Sequence, residues 1–508
     1  MSDQSKRLSE IGKELHELSV KSGRLGWAYY TTGYDFGIQE SYDKITDYLK
    51  DKKRFEAVCA IRDKTTDPRE KRMADLLFDS FERFHLSDEV TRITKEIQVL
   101  TNKLSGILNT HRSHIDGKEV TSLEIQQILS ESPDRELRKK AFLARAQVNT
   151  PMLEGGFIDL IKLRKEYAKA YGAEDYVSMS LEKQDLNTAI FQGWEESVDK
   201  KLPEMTRVRE KYAKKYLGSA PVAPWDEAYI TGQLAPALNT QINMTNFYDY
   251  IRTFFAHFGY NLDDYNITYD LFSRRNKSEW GYNFPIETAK DSRILANIKD
   301  RFHEFRVLLH ETGHALHSYL NDPEKIVLNM GISGIISEGI ANLFGGFLTK
   351  PLFYQQFFSD DLGEVKEQFA ALKEWQEAHI LQPVAGILFD QRLYTTPIEK
   401  AADIHALKWD LDQKLSAVEP YGDEPVWAYR IHHTTHPIYL HNYFMGDVTC
   451  AMLEEAFKKR SGSEKIEEKP EEFARFLYDE VISPSGLYPY PELFKRIAGE
   501  EFSLRYIL

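Results

Sequence analysis

The chain has 508 residues, and its 79 acidic and 65 basic side chains give a formal net charge of −14, which argues against nucleic acid or an anionic membrane surface as a partner. Only Cys59 and Cys450 are present and the first residues, Met1-Ser2-Asp3-Gln4-Ser5, form no apolar leader, so a cytoplasmic protein without a disulfide framework is expected. No run approaches 18 apolar residues, so no membrane span is expected. The length admits two or three domains; the expectation is one domain over 1–508, mostly α-helical, with two lobes.

In chain order, Leu8, Ile11, Leu15 and Leu18 form one stripe, which predicts a helix over 5–22. The stretch from Gly26 to Gly33 breaks that period, and helix resumes through Tyr42, Ile45 and Leu49. Ser87 caps a helix whose Val90, Ile93, Ile97, Leu100 and Leu104 face inward, and Asp116-Gly117 marks a turn. Ser132-Pro133 has the cap-then-proline order of a helix start, and Gly172 ends the helical run that begins near Leu160. Residues 218–240 gather Gly218, Pro221, Pro224, Gly232 and Pro236, which predicts an irregular connection and a possible lobe boundary. Helix returns from Asn246 to Phe258. Residues 278–286 alternate aromatic with small or polar side chains and predict a short edge strand, whose free side could pair with a bound peptide; Trp280 is a candidate substrate contact there. The charged stretch 458–472 reads as an exposed connection.

The most informative segment is His310-Glu311-Thr312-Gly313-His314. Phe302, Phe305, Leu309, Thr312, Leu316 and Tyr319 recur at helical spacing, so His310 and His314 project from successive turns of one face and can grip one metal ion. Zinc suits two neutral imidazoles, and Glu311, one step round the helix, is placed to act as a general base. Two histidines leave the site incomplete. Downstream, Ser333 is a plausible cap for a second helix with Ile336, Ile340, Leu343 and Phe347 on its apolar stripe, which places Glu338 and Asn342 on another face. Glu338 is the candidate third ligand of one zinc ion per chain, with Asn342 behind it; Gly339, Ala341 and Gly345 would allow close approach of the two helices.

A second cluster lies between Trp427 and Tyr443, where four histidines and three tyrosines fall within seventeen residues. Pro437 is expected in the first turn of a helix that aligns Tyr439 with Tyr443. A peptide hydrolase needs a donor for the oxyanion of its tetrahedral intermediate, and the Tyr443 hydroxyl is the candidate.

Taken together, these segments resemble the gluzincin peptidases, nearest to the angiotensin-converting-enzyme (peptidyl-dipeptidase A) family, with similarity to the oligopeptidase F and thimet oligopeptidase family. Trp27-Ala28-Tyr29, Asp291-Ser292-Arg293-Ile294 and the spacing from His314 to Glu338 resemble the first; Pro224-Trp225-Asp226 and Pro437-Ile438-Tyr439 leading to Tyr443 are more similar to the second. The resemblance implies a mostly α ellipsoid whose two helical lobes flank a deep substrate channel, hooded by amino-terminal helices that admit only short peptides. It implies zinc on His310, His314 and Glu338, Glu311 as general base and proton donor, Tyr443 as oxyanion stabiliser and His433 as a donor to the substrate carbonyl. An oligopeptidase-like alignment takes His432 instead, and Tyr439 then joins it as a substrate contact. Ile431, Leu440 and Asn442 stand where the converting-enzyme family has a lysine, a tyrosine and a chloride-binding arginine, so the resemblance does not extend to carboxylate capture.

The expected function is hydrolysis of short peptides by metal-activated water, with a monomer or homodimer as the assembly. Within the same chemistry the alternative is a peptidyl-dipeptidase or other carboxypeptidase. From another class, the alternative is a helical peptide-binding protein with a vestigial metal site.

Overall fold

Leu8, Ile11 and Leu15 are buried, as their spacing predicts, but the helix that carries them runs from Asp3 to Thr32. The computed structural model describes every residue except Met1, 219–220, 235–242, 279–280, 299–303, 358–361 and 364. The helix begins where the Ser2 hydroxyl accepts the Ser5 N–H, and it stops at Gly33, which takes the left-handed φ of 74° and donates its N–H to the Tyr29 carbonyl. The change of apolar period at Gly26 therefore marks a change of packing partner, with the backbone still helical. Beyond it, the rings of Trp27 and Tyr30 meet Phe284, with centroids 5.4 and 5.7 Å apart.

The chain divides into two compact units. The first comprises 1–86, 238–360 and 445–506; the second comprises 87–237, 361–444 and 507–508. Helices dominate both. Among the described residues no single helix is long and apolar enough to cross a membrane.

In the first unit, Leu8, Ile11 and Leu15 join Leu77, Phe81 and Val327 in one apolar core. A small sheet follows. Ile267–Asp270 pairs parallel with Asp291–Leu295, which pairs antiparallel with Tyr282–Glu287. Tyr282–Glu287 is thus an edge strand, and its Pro285 sits where a missing N–H is tolerated. The strand starts four residues later than the alternation at 278–286 suggests, and Trp280 lies outside the described residues.

Helices Glu304–Leu320 and Gly334–Gly346 pack closely because small residues line their contact. A Cβ added at Gly313 would lie 3.1 Å from Ala341 Cα, and one at Gly345 would lie 3.3 Å from His310 Cβ. Gly339 does something else: it faces Thr449, whose Cγ2 would be 2.8 Å from an added Cβ. The segment expected to be an exposed connection also differs. Helix Leu440–Ser461 reaches into it, Ile466 is buried, and Pro470 opens another helix, Pro470–Leu477.

In the second unit, Ser87 caps Asp88–Thr110 through the Val90 N–H, and Asp116-Gly117 turns a short hairpin of Ser113–Ile115 with Lys118–Val120. Helix Arg135–Ala144 is capped by Asp134, two residues beyond Ser132, because the Asp134 carboxylate accepts the N–H groups of Glu136 and Leu137. Phe157–Tyr171 ends at Gly172, with φ 92°. The stretch from 218 is not irregular throughout. Pro224–Leu234 is helical, and its buried Asp226 is held by Arg135 and Arg138 at 2.7 and 2.8 Å.

Candidate metal centre and the tyrosine cluster

His310 and His314 stand on successive turns of Glu304–Leu320, with their Nε2 atoms 3.1 Å apart. Glu338, four residues into Gly334–Gly346, places its two carboxylate oxygens 3.7 Å from those nitrogens, one facing each. Ser333 begins that helix through the Ile335 N–H, so the cap sets the turn from which Glu338 projects. Ligands at about 2.0–2.1 Å from a tetrahedral zinc stand about 3.3 Å from one another. The observed separations fit that arrangement, and all three ligand atoms lie within 4.8 Å of each other.

The chemistry of the donors agrees with the spacing. His314 Nδ1 lies 2.8 Å from Ser337 Oγ; a proton on Nδ1 given to that hydroxyl leaves Nε2 with its lone pair towards the shared point. Asn342 hydrogen-bonds the His310 ring and, through Nδ2, donates to Asp447 Oδ1 at 2.9 Å. His310 is thereby oriented through an amide that a carboxylate holds in turn. Two imidazole lone pairs facing each other at 3.1 Å repel unless a proton or a cation lies between them.

Burial drives the His310 pKa down to about 3 and that of His314 to about 4, so both rings are neutral and ready to donate. It pushes Glu311 up to about 8, with the Glu338 charge adding, and Glu338 up to about 7, with Asp447 adding. Asp447 is raised as well, to about 6, by burial that the Arg306 guanidinium only partly offsets, so three acidic groups hold protons unusually tightly here. A divalent cation among them would reverse that tendency and favour the carboxylates. Glu311 also lies beside the edge strand, since a Cβ added at Gly281 would sit 3.8 Å from Glu311 Oε1.

The candidates between Trp427 and Tyr443 lie in the second unit, where the structure separates two adjacent histidines. His433 is 5% exposed; its Nδ1 lies 3.3 Å from the Trp427 carbonyl and its ring packs edge-on to Phe389. Its Nε2 is buried without a hydrogen-bond partner and is directed towards Gly386. His432 instead is half-buried and packs with the exposed Tyr439 and Tyr443, whose rings lie 5.8 and 5.5 Å from it and 5.5 Å from one another. Pro437 does not enter the helix. Leu440–Ser461 begins three residues later, after a turn in which Ile438 adopts φ 55°. For a β-branched residue that left-handed geometry costs about 1–2 kcal/mol, so something must hold it there.

Two supporting residues escape a reading of sequence alone. Ser337 sits beside Glu338 and carries no distinguishing spacing. Asp447 lies 105 positions from Asn342, although its place four residues after Tyr443 is a signal that helical periodicity offers.

Residues 128–253 match the model of peptidase family M3. That stretch lies upstream of His310 and contains none of the three candidate ligands. Among solved structures, the chain is similar to PZ peptidase A with inhibitor 2, at a TM-score of 0.74 and 18% identity, over 99% of this chain and 91% of that one. This likeness is one of fold. A search of the curated proteins finds no match.

Proposed function

We propose that the chain is a zinc metallopeptidase that cuts short peptides internally. The observation that carries this reading is the convergence of His310 Nε2, His314 Nε2 and the Glu338 carboxylate on one point, with Glu311 on the adjoining position of the same helix. The match of 128–253 to peptidase family M3 supports it from a separate part of the chain.

In this reading His310, His314 and Glu338 hold one zinc ion. When bound, zinc supplies Lewis acidity, which lowers the pKa of water and polarises a carbonyl. Glu311 accepts a proton from the attacking water and returns it to the amide nitrogen as the C–N bond breaks. The edge strand Tyr282–Glu287 offers unpaired backbone groups close to Glu311, suited to an extended peptide lying alongside. Tyr443 is the proposed hydroxyl donor to the oxyanion; half-buried His432 and exposed Tyr439, beside it, are the proposed contacts to substrate carbonyls. His432 takes that role in preference to His433, which is enclosed by Phe389 and Gly386.

Chelator-reversible cleavage of a peptide library, with cut sites read by mass spectrometry, tests the proposal. Peptides blocked at both ends should be cut as readily as free ones. If only peptides with a free carboxyl terminus were cut, the enzyme would be a carboxypeptidase. Absence of hydrolysis in a preparation shown to carry zinc would remove the peptidase reading.

A further inference from the structure

Asp390 is fully enclosed, lies on helix Pro383–Thr395, and has no part in the chemistry proposed above. Its Oδ2 accepts the Ile438 N–H at 2.6 Å, and the Tyr439 N–H also bears on the carboxyl. On the other side of the same residue, the Ile438 carbonyl accepts from Gln184 Nε2 at 3.0 Å. Gln184 in turn accepts from Asn442 Nδ2, one turn into the following helix. Arg164 fixes the start of the turn, donating to the Thr434 carbonyl at 2.7 Å and to that of Thr435 at 3.3 Å. All of these residues belong to the second unit.

Both peptide groups flanking Ile438 are thus tied, one to an acid and one to an amide, and between them the residue is held at φ 55° with its side chain buried. Strain of this kind persists only where the surroundings over-determine the backbone, and it concentrates at functional sites. The residue immediately after it is Tyr439, and Tyr443 lies one helical turn further on.

We propose that Asp390 is a positioning residue: by holding Ile438 in the left-handed region through its N–H, it sets the direction in which the chain delivers Tyr439 and Tyr443 beside His432. This rests on the peptidase reading, in which those tyrosines act on substrate. The role requires an accepting oxygen and no charge. Burial raises the Asp390 pKa well above the usual carboxylate range, so an amide of the same shape is a fair substitute.

The experiment compares the parent with Asp390→Ala, Asp390→Asn and Tyr443→Phe. Each zinc-loaded protein is checked for metal content, and amide hydrogen exchange across 431–445 is followed alongside kcat and KM on a quenched peptide. Asp390→Ala should lose exchange protection at the Ile438 and Tyr439 amides, and its kcat should fall by about 10²-fold with little change in KM or bound zinc. Asp390→Asn should keep that protection and recover at least tenfold of the loss, which also covers the case in which the alanine variant folds poorly. Parental protection in Asp390→Ala overturns the proposal, as does an unchanged kcat when Tyr443→Phe is impaired. A Tyr443→Phe protein with full turnover would instead withdraw the oxyanion role, and the exchange at 438 and 439 would still decide whether Asp390 holds the turn.

Discussion

Asn342 Nδ2 donates to Asp447 Oδ1 at 2.9 Å, and the same amide hydrogen-bonds the His310 ring. The carboxylate that commonly backs a metal-binding histidine is therefore present at one remove, with an amide between. A histidine so held keeps its tautomer and its aim; one released from the hydrogen bond can rotate away from the shared point. Asn342→Ala should weaken zinc binding by about 10- to 100-fold. Asp447→Asn, which leaves Asn342 in place with a weaker partner, should cost less than Asn342→Ala. Competition against a chelator of known affinity measures both. Parental affinity in Asn342→Ala would show that packing alone orients His310.

The proposed ligand and the proposed base are separable by substitution. His314→Ala removes one of three donors, so the purified protein should contain little zinc and show no chelator-sensitive turnover. Glu311→Gln keeps the shape of the side chain without a basic oxygen. It should retain one zinc per chain while turnover falls by a factor on the order of 10²–10⁴. Metal analysis beside kcat tells the two apart, and a fully active Glu311→Gln protein would eliminate the proton-transfer role.

The two raised carboxyls make the stability of the metal-free chain depend on pH. Glu311 and Glu338 titrate near 8 and 7 when folded, against about 4.5 when unfolded, so the folded chain holds their protons more tightly. At these two groups the unfolded chain then holds fewer protons between about pH 4.5 and 8, and their contribution to stability declines as pH rises through that window. Each unit separating the folded and unfolded values contributes about 1.4 kcal/mol. Below about pH 6.5 the histidines that burial lowers, His310 and His314 among them, act in the opposite direction, so melting of the metal-free protein should fall from about pH 7 to pH 8, and saturating zinc should abolish most of that fall. A melting temperature independent of pH over this range would contradict the burial of these groups.

Much of this arrangement was legible in local sequence. His310, Glu311 and His314 declare a helical face by spacing alone, and Ser333 and the small residues after it place Glu338 on a neighbouring helix. Gly172 and Ser87 stop and start helices at the residues that bear those names, because caps act over one turn. What local pattern could not supply was anything set by partners distant in sequence. The helix ending at Thr32 runs past its apolar period because Phe284 covers its later turns. Pro437 reads as a helix start, but Asp390 and Arg164, from two separate helices, and Gln184, from the turn after a third, impose a turn there instead. The adjacent His432 and His433 look alike in sequence, and only the packing of Phe389 assigns one to the interior.

Close packing also makes the candidate metal centre sensitive to a single methyl group. A Cβ added at Gly446 would lie 2.7 Å from Glu338 Cβ and 3.3 Å from the Glu338 carbonyl carbon. Neither is the free end of a flexible side chain, so the helix bearing Glu338 would have to move. Gly446→Ala should cost about 1–3 kcal/mol of stability, as overpacking does, and should also weaken zinc binding, since Glu338 is displaced relative to His310 and His314. Gly346, at the end of the Glu338 helix, has nothing within 4 Å of an added Cβ. Gly346→Ala should leave zinc affinity intact and raise stability by up to about 1 kcal/mol through helix propensity. Thermal melting and chelator competition on the two variants form a paired test; equal zinc affinity in both would mean that the Glu338 helix tolerates displacement without disturbing the ligand geometry.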